Sequence, residues 1–340
     1  MRKLLGKVPY ALVLLPCVLA SGCLGVTEAR LEGAGSSFVD AMMQKWSSIY
    51  YRQTRVGVNY QPKGSGAGIS MMTSGDADFG CSDAPLNDEQ IDKCRQVGGE
   101  VLHIPLCMGA IVPAYNLPGA PELVFSGGVL LDIYRGRITR WDDPAIRELN
   151  PTAELPHLAI SVAFRSDSSG STYILTDYFT KVNKAAWKAG RGTAVNFPVG
   201  IGAKGNAGVA GFVKDTEGAI GYVELIYAVN NDIAFGAVIN AAGKPVKADL
   251  ASVTAAAATA EIPDDLRYSI TNAKGEKAYP IAGTVWALVY AKQPKEKAEA
   301  VKKFLSWITH EGQKHADKLH YAPLPANLVK KVEKKLDLIE

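Results

Sequence analysis

Three stretches of this 340-residue chain crowd hydroxyl and glycine residues where an extended run gives way to a helical pattern: LEGAGSSF (31–38), KGSGAGIS (63–70) and RSDSSGST (165–172). A helix start leaves its first backbone N–H groups without intrahelical partners and carries partial positive charge, so a glycine-loosened turn lined with serines can enclose an oxyanion. Taken alone, a Ser-rich turn reads as an ordinary N-cap. Three in one chain, one of them bearing Arg165, read as a single site for a tetrahedral anion. GAGSSF also grazes the dinucleotide fingerprint, but Phe38 stands at its third glycine and no suitable acidic residue follows a second strand.

Asp83, in DFGCSDAPL, closes a short strand before a proline turn. Its ordinary role is turn capping. Beside an anion site it reads differently, because a carboxylate repels a bound anion unless that anion brings a proton. Phosphate near neutral pH has a hydroxyl to donate and sulfate has none, so Asp83 would act as a filter. Arg165 offers a planar fork to the anion, and Asp167, two residues on, would orient that fork and offset its charge.

The elements that must hold these residues follow from periodicity. Short β-branched and aromatic runs (VGVNYQ, ADFGCS, GAIVPAYN, AISVAF) alternate with helical patterns, which argues α/β layering. Phe38, Val39, Met42, Met43, Trp46, Ile49 and Tyr50 share one helical face, and Ile174, Leu175, Tyr178, Phe179 and Val182 repeat the pattern. ASVTAAAATA (251–260) reads as a surface helix, GTVWALVYA as a strand, and two helices close the chain. At 47% hydrophobic content the chain can fill two ordinary domains.

Residues 1–22 read as an export signal, with Arg2, Lys3 and Lys7 ahead of an apolar run too short to span a bilayer. LASGC, ending at Cys23, is similar to a lipoprotein lipobox with Ala20 where leucine is usual, so Cys23 is the expected lipid attachment. The other reading is cleavage after Ala20 and a soluble exported protein. Those three basic residues account for the whole net charge of +3, leaving 34 basic against 34 acidic side chains. A neutral body argues against nucleic acid as a partner. Of the five cysteines, Cys81, Cys94 and Cys107 belong to the folded body; in an oxidising compartment one disulfide is possible and one thiol is left over.

GAGSSF, VNYQPKGSGAG, ADFGCSDAPL, LDIYRGRITRWDDPAI, RSDSSGST, KGNAGVAGFV, GAIGYVE and HYAPLP together resemble the periplasmic phosphate-binding proteins of bacterial Pst-type ABC importers, from about Leu31 to Val329. The resemblance implies a type II periplasmic-binding-protein fold: two α/β lobes, each a mixed sheet flanked by helices, closing by hinge motion over a ligand in the cleft. It places lobe 1 at 31–115 and 282–340 and lobe 2 at 116–281, after a signal peptide (1–22) and a linker (23–30). The implied phosphate ligands are Ser37, Phe38 through its backbone N–H, Ser65, Asp83, Arg165, Ser169, Gly170 and Ser171, with Asp167 orienting the arginine. Ser37 and Ser171 stand where threonine is frequent, which keeps the hydroxyl. Pro62 and Lys63 replace small or apolar residues, and Lys63 is expected to face solvent.

The implied function is extracytoplasmic capture of inorganic phosphate and its delivery to the importer's membrane subunits. The implied protein is a monomer without cofactor or metal, touching the membrane only through a lipid anchor. The same fold could carry another oxyanion; Asp83 speaks against sulfate and molybdate and says nothing against arsenate. An exported phosphohydrolase would need a metal cluster or a nucleophile with a positioned base. His310, His315 and His320 recur every five residues and walk around a helix, His103 and His157 lie near no serine motif, and no G-x-S-x-G elbow is present.

Overall fold

The computed structural model describes residues 30–340; the expected signal peptide and Cys23 lie outside the described residues. The chain begins with β1 (Arg30–Gly35), α1 (Asp40–Thr54), β2 (Gly57–Gln61), α2 (Ser65–Ser74), β3 (Phe79–Ser82) and α3 (Asp88–Val97). Met42, Met43, Trp46, Ile49 and Tyr50 of α1 are buried, the face their spacing predicts. β1 pairs in parallel with both β2 and β3, an arrangement that needs the helical crossovers this alternation supplies.

β4 (Val101–Tyr115) is longer than the short strand expected around GAIVPAYN, and all 15 of its residues are buried. A strand covered on both faces reads as one continuous apolar run, so its start carries no alternation to mark it. Pro105 is tolerated at a register shift, where Trp286 faces Pro105 while Val285 faces Cys107.

The chain continues through β5 (Val124–Phe125), α4 (Gly127–Tyr134), α5 (Pro144–Leu149), β6 (Ser161–Arg165), α6 (Gly170–Asn183), β7 (Ile201–Ala203), α7 (Gly205–Asp215), β8 (Ala219–Glu224) and α8 (Leu225–Asn230). Short strands β9 (Ala234–Phe235), β10 (Ala237–Ile239) and β11 (Pro245–Val246) lead to α9 (Leu250–Ala258). The chain then returns through β12 (Ala282–Tyr290) to α10 (Lys295–Thr309) and α11 (Ala326–Leu336). α9 is the surface helix expected from the alanine run, exposed at Ala251, Thr254 and Ala258 and packed inward at Val253, Ala256 and Ala257.

One large sheet runs in the order β2-β1-β3-β12-β4-β8-β6-β7, with β9 also on β4. β4 is shared by both halves: it pairs antiparallel with β12 as far as Ala110 opposite Ala282, then with β8 from Ile111 opposite Glu224. The result is a two-lobed α/β fold with a continuous strand through the junction. Trp46, Trp141 and Trp286 anchor the core, each indole N–H donating to a backbone carbonyl, of Gly312, Gly218 and Leu266 respectively, at 2.8–2.9 Å. Cys81, Cys94 and Cys107 are all free and buried, so the possible disulfide does not form among them.

Candidate anion-binding site

The three hydroxyl-bearing turns sit at the starts of α1, α2 and α6, and each follows a strand of the large sheet. Only one of the three behaves as a conventional cap. Ser169 precedes α6 with extended backbone and accepts the Thr172 N–H on its hydroxyl at 3.3 Å. α1 and α2 have no side-chain cap. Gly64, before α2, has φ +94°, a conformation that favours glycine, and a Cβ there would lie 2.5 Å from Asp167 Oδ2.

These turns meet across the two halves of the sheet. The Gly66 N–H donates to the Ser168 carbonyl at 3.0 Å. Gly170 packs so closely that a Cβ would fall 2.3 Å from Asp83 Oδ2 and 2.4 Å from Ser65 Oγ. The Asp83 N–H donates to Ser65 Oγ at 3.1 Å. Turn one joins through Ser37, whose hydroxyl accepts from Asn206 Nδ2 at 3.1 Å and whose carbonyl accepts from the Tyr227 hydroxyl at 3.0 Å. Ser37, Phe38, Ser65, Asp83, Arg165, Ser169, Gly170 and Ser171 are all buried. Lys63 is exposed, as expected.

Arg165 closes β6, and its guanidinium forks onto Asp167: Nε to Oδ1 at 2.8 Å and one terminal nitrogen to Oδ2 at 2.5 Å. The other terminal nitrogen lies 3.5 Å from Ser171 Oγ. Asp167 Oδ1 also accepts the Gly205 N–H at 2.9 Å, at the start of α7. Burial works to raise the Asp167 pKa, but the Arg165 hydrogen bonds and charge and the Gly205 N–H outweigh it and hold the carboxyl below its usual range. Asp167 therefore stays ionised and orients a buried cation.

Asp83 is the opposite case. Burial pushes its pKa up to about 7, against the pull of the Ser36 hydroxyl, the Arg165 charge and Ser65. A carboxyl poised there can hold or release a proton near neutrality, and it neighbours the same donors an anion would use. Among the described residues, the N–H groups of Ser37, Ser65, Gly170 and Ser171 have no protein partner. A buried set of donors with a guanidinium and one proton-accepting carboxylate suits a protonated tetrahedral oxyanion.

Two arrangements were not anticipated. Ser36 is fully buried, hydrogen-bonds to Asp83 Oδ1, and accepts the Phe38 N–H at 3.0 Å. The amide expected to face a ligand is therefore engaged by Ser36, and a ligand would have to share it. Nothing local in SSF separates Ser36 from Ser37, and only its bond to Asp83, 47 residues away, distinguishes it. Glu224, where β4 changes partner, is also fully buried; burial pushes its pKa well up, and Oε1 has no partner among the described residues.

The histidines pair away from this cluster. His103 Nε2 accepts the Leu86 N–H at 3.0 Å, His157 pairs with Asp142 at 2.7 Å and His310 with Glu333 at 2.9 Å. No group of three metal-ligating side chains gathers among the described residues, and no helix there is long and apolar enough to cross a membrane. A cavity of about 690 Å³ lies beside the site, between Ala84 and Asp88 on one side and Tyr173, Thr193 and Arg267 on the other.

Residues 25–311 match the model of the PBP superfamily domain. The chain is 41% identical over 316 residues to the phosphate-binding protein PstS of Xylella fastidiosa strain Temecula1, covering 90% of this chain and 84% of that one. It is 38% identical over 329 residues to PstS of Pasteurella multocida, covering 94% of each. Among solved structures it is similar to a high affinity periplasmic phosphate-binding protein bound with phosphate, PfluDING (TM-score 0.73, 19% identity, 90% and 93% covered). It is also similar to a phosphate-binding protein from Stenotrophomonas maltophilia (TM-score 0.69, 17% identity, 90% and 93% covered). At those identities the two structures speak to the fold.

Proposed function

Because the chain belongs to the PBP superfamily and, within it, to the family of the PstS phosphate-binding proteins, we propose that it captures inorganic phosphate between its lobes and delivers it to the membrane subunits of an ABC importer. The observation that carries the site is the buried pair of opposite functions: Arg165, forked onto Asp167, and Asp83, poised near neutrality, both within the cluster of helix-start donors. Arg165 and the donors of Ser37, Ser65, Ser169, Gly170 and Ser171 hold the phosphate oxygens. In its ionised form, which prevails above about pH 7, Asp83 accepts the phosphate proton and rejects sulfate, which would leave a desolvated carboxylate facing an anion with nothing to donate.

Lobe 1 comprises 31–115 and 282–340 and lobe 2 comprises 116–281. The switch of β4 from β12 to β8 at Ala110 and Ile111 supports a hinge near that boundary. Turns one and two and Asp83 then belong to lobe 1 and turn three to lobe 2, so closure brings Arg165 onto the ligand. The protein acts as an exported monomer, tethered through Cys23, and has no reaction of its own. Arsenate carries the same proton as phosphate and fits the same arrangement.

Calorimetric titration of the phosphate-stripped mature protein with phosphate, repeated in excess sulfate, tests the reading. Tight one-to-one binding that sulfate leaves intact is the expected result, and Arg165→Ala should abolish it. A folded, ligand-free sample that takes up no phosphate would sink the proposal, as would wild-type affinity in the arginine variant.

A further inference from the structure

Asn206 is fully buried at the start of α7 and carries a side-chain amide with both ends engaged. Its Oδ1 accepts the Glu224 backbone N–H at 3.1 Å, and its Nδ2 donates to Ser37 Oγ at 3.1 Å. The Glu224 N–H can only donate, so it dictates which end of the amide carries oxygen, and the NH2 group must face Ser37. A serine hydroxyl has one proton. With Oγ accepting from Asn206, that proton is directed elsewhere, and among the described residues it is donated to no protein group. The backbone around it is pinned from both sides, because the Tyr227 hydroxyl donates to the Ser37 carbonyl at 3.0 Å and the Tyr321 hydroxyl to the Phe38 carbonyl at 2.5 Å.

Asn206 and Ser37 come from opposite halves of the sheet. α7 lies in the half built on β8, β6 and β7, whereas Ser37 follows β1, with 169 residues between them. We propose that Asn206 is a positioning residue for phosphate capture: as the lobes close, its amide donates to Ser37 Oγ and thereby commits the Ser37 proton to the ligand. This inference rests on the reading of Ser37 as a phosphate ligand. It makes turn one a full-strength donor only in the closed form, so closure and recognition reinforce each other. In the open form the same hydroxyl is free to rotate, accept or donate.

The test is a double-mutant cycle on phosphate affinity in the mature protein, with folding checked by thermal melting. Asn206→Ala and Ser37→Ala should each weaken phosphate binding about tenfold, and the double variant should be no weaker than Ser37→Ala alone. Independent, additive losses would overturn the inference. Asn206→Asp supplies a second readout and carries the test if the alanine variant does not fold. Its ionised carboxylate accepts the Ser37 proton, so affinity should drop as that carboxyl ionises and recover at lower pH, where it can donate. In a Ser37→Ala background this pH dependence should shrink; if it persists in full, charge repulsion explains it and the positioning role fails. Loss of binding in Arg165→Ala beside wild-type affinity in Asn206→Ala would overturn this inference and leave the site intact. Wild-type affinity in both Ser37→Ala and Arg165→Ala would overturn both.

Discussion

Asp83 and Asp167 are the same residue type, both held near Arg165, and their surroundings shift their acidity in opposite directions. Asp167 has two Arg165 hydrogen bonds and the Gly205 N–H to favour its charge; Asp83 is buried with only partial compensation. Asp83→Asn should therefore narrow the preference for phosphate over sulfate, measured by competition titration, and an unchanged selectivity ratio would remove Asp83 from the filter role. Its raised pKa also has a sign for stability. An acid near 7 when folded, against about 3.9 when unfolded, binds its proton more tightly in the folded state. Its contribution is complete below about pH 4 and is lost as pH rises through about 7, amounting to no more than about 4 kcal/mol. With Asp83 covered by Gly170 as in this structure, stability should fall across that window in urea titrations, and Asp83→Asn should flatten the profile. Superimposable profiles for the two proteins would mean that Asp83 titrates normally.

At the scale of elements, the helix starts matter more as surfaces than as caps. α2 and α6 approach each other through glycine, with Gly66 against Ser168 and Gly170 against Asp83 and Ser65. A methyl group at Gly170 would collide with two site residues, and overpacking of this kind costs about 1–3 kcal/mol. Gly170→Ala should accordingly weaken phosphate binding by about 5- to 150-fold. The melting temperature without ligand should stay close to wild type, because the clash arises between the halves and not inside either one. Normal affinity in that variant would show that α6 does not approach Asp83 in the bound state. α3, by contrast, begins with an ordinary capping box in which Asn87 and Gln90 exchange hydrogen bonds, and Asn87→Ala should cost about 1 kcal/mol without touching affinity.

Across the whole molecule, a second bridge joins the two halves of the fold away from the anion-site candidate. Arg267 donates to the Leu86 carbonyl at 3.2 Å and to Asp88 at 3.0 Å, bridging the segment before β12 to the start of α3 beside the large cavity. Asp88 is almost fully exposed, so Arg267→Ala should speed phosphate release only about threefold in stopped-flow measurements. No change in release would mean the bridge forms independently of ligand. Small-angle scattering should show the molecule contracting when phosphate is added to stripped protein, and an unchanged profile would argue against hinge closure.

Residue order alone carried the α/β alternation, the amphipathic faces of α1 and α6, the three helix starts and the Arg165–Asp167 pair. These are local properties: periodicity, turn chemistry and a two-residue spacing read directly along the chain. Tertiary structure decided what depends on residues far apart. Ser36 is distinguished from Ser37 only by its contact with Asp83, and Asn206 meets Ser37 only because α7 packs against the turn after β1, 169 residues away in the chain. The full length of β4 and the inward face of α9 were hidden for a related reason, since burial on both faces or in an alanine run erases the polar alternation that marks an element's edge. Sequence specifies which groups can donate, accept or ionise. Which partner each meets, and so whether Asp83 or Asp167 keeps its charge, is set by packing between segments that share no local pattern.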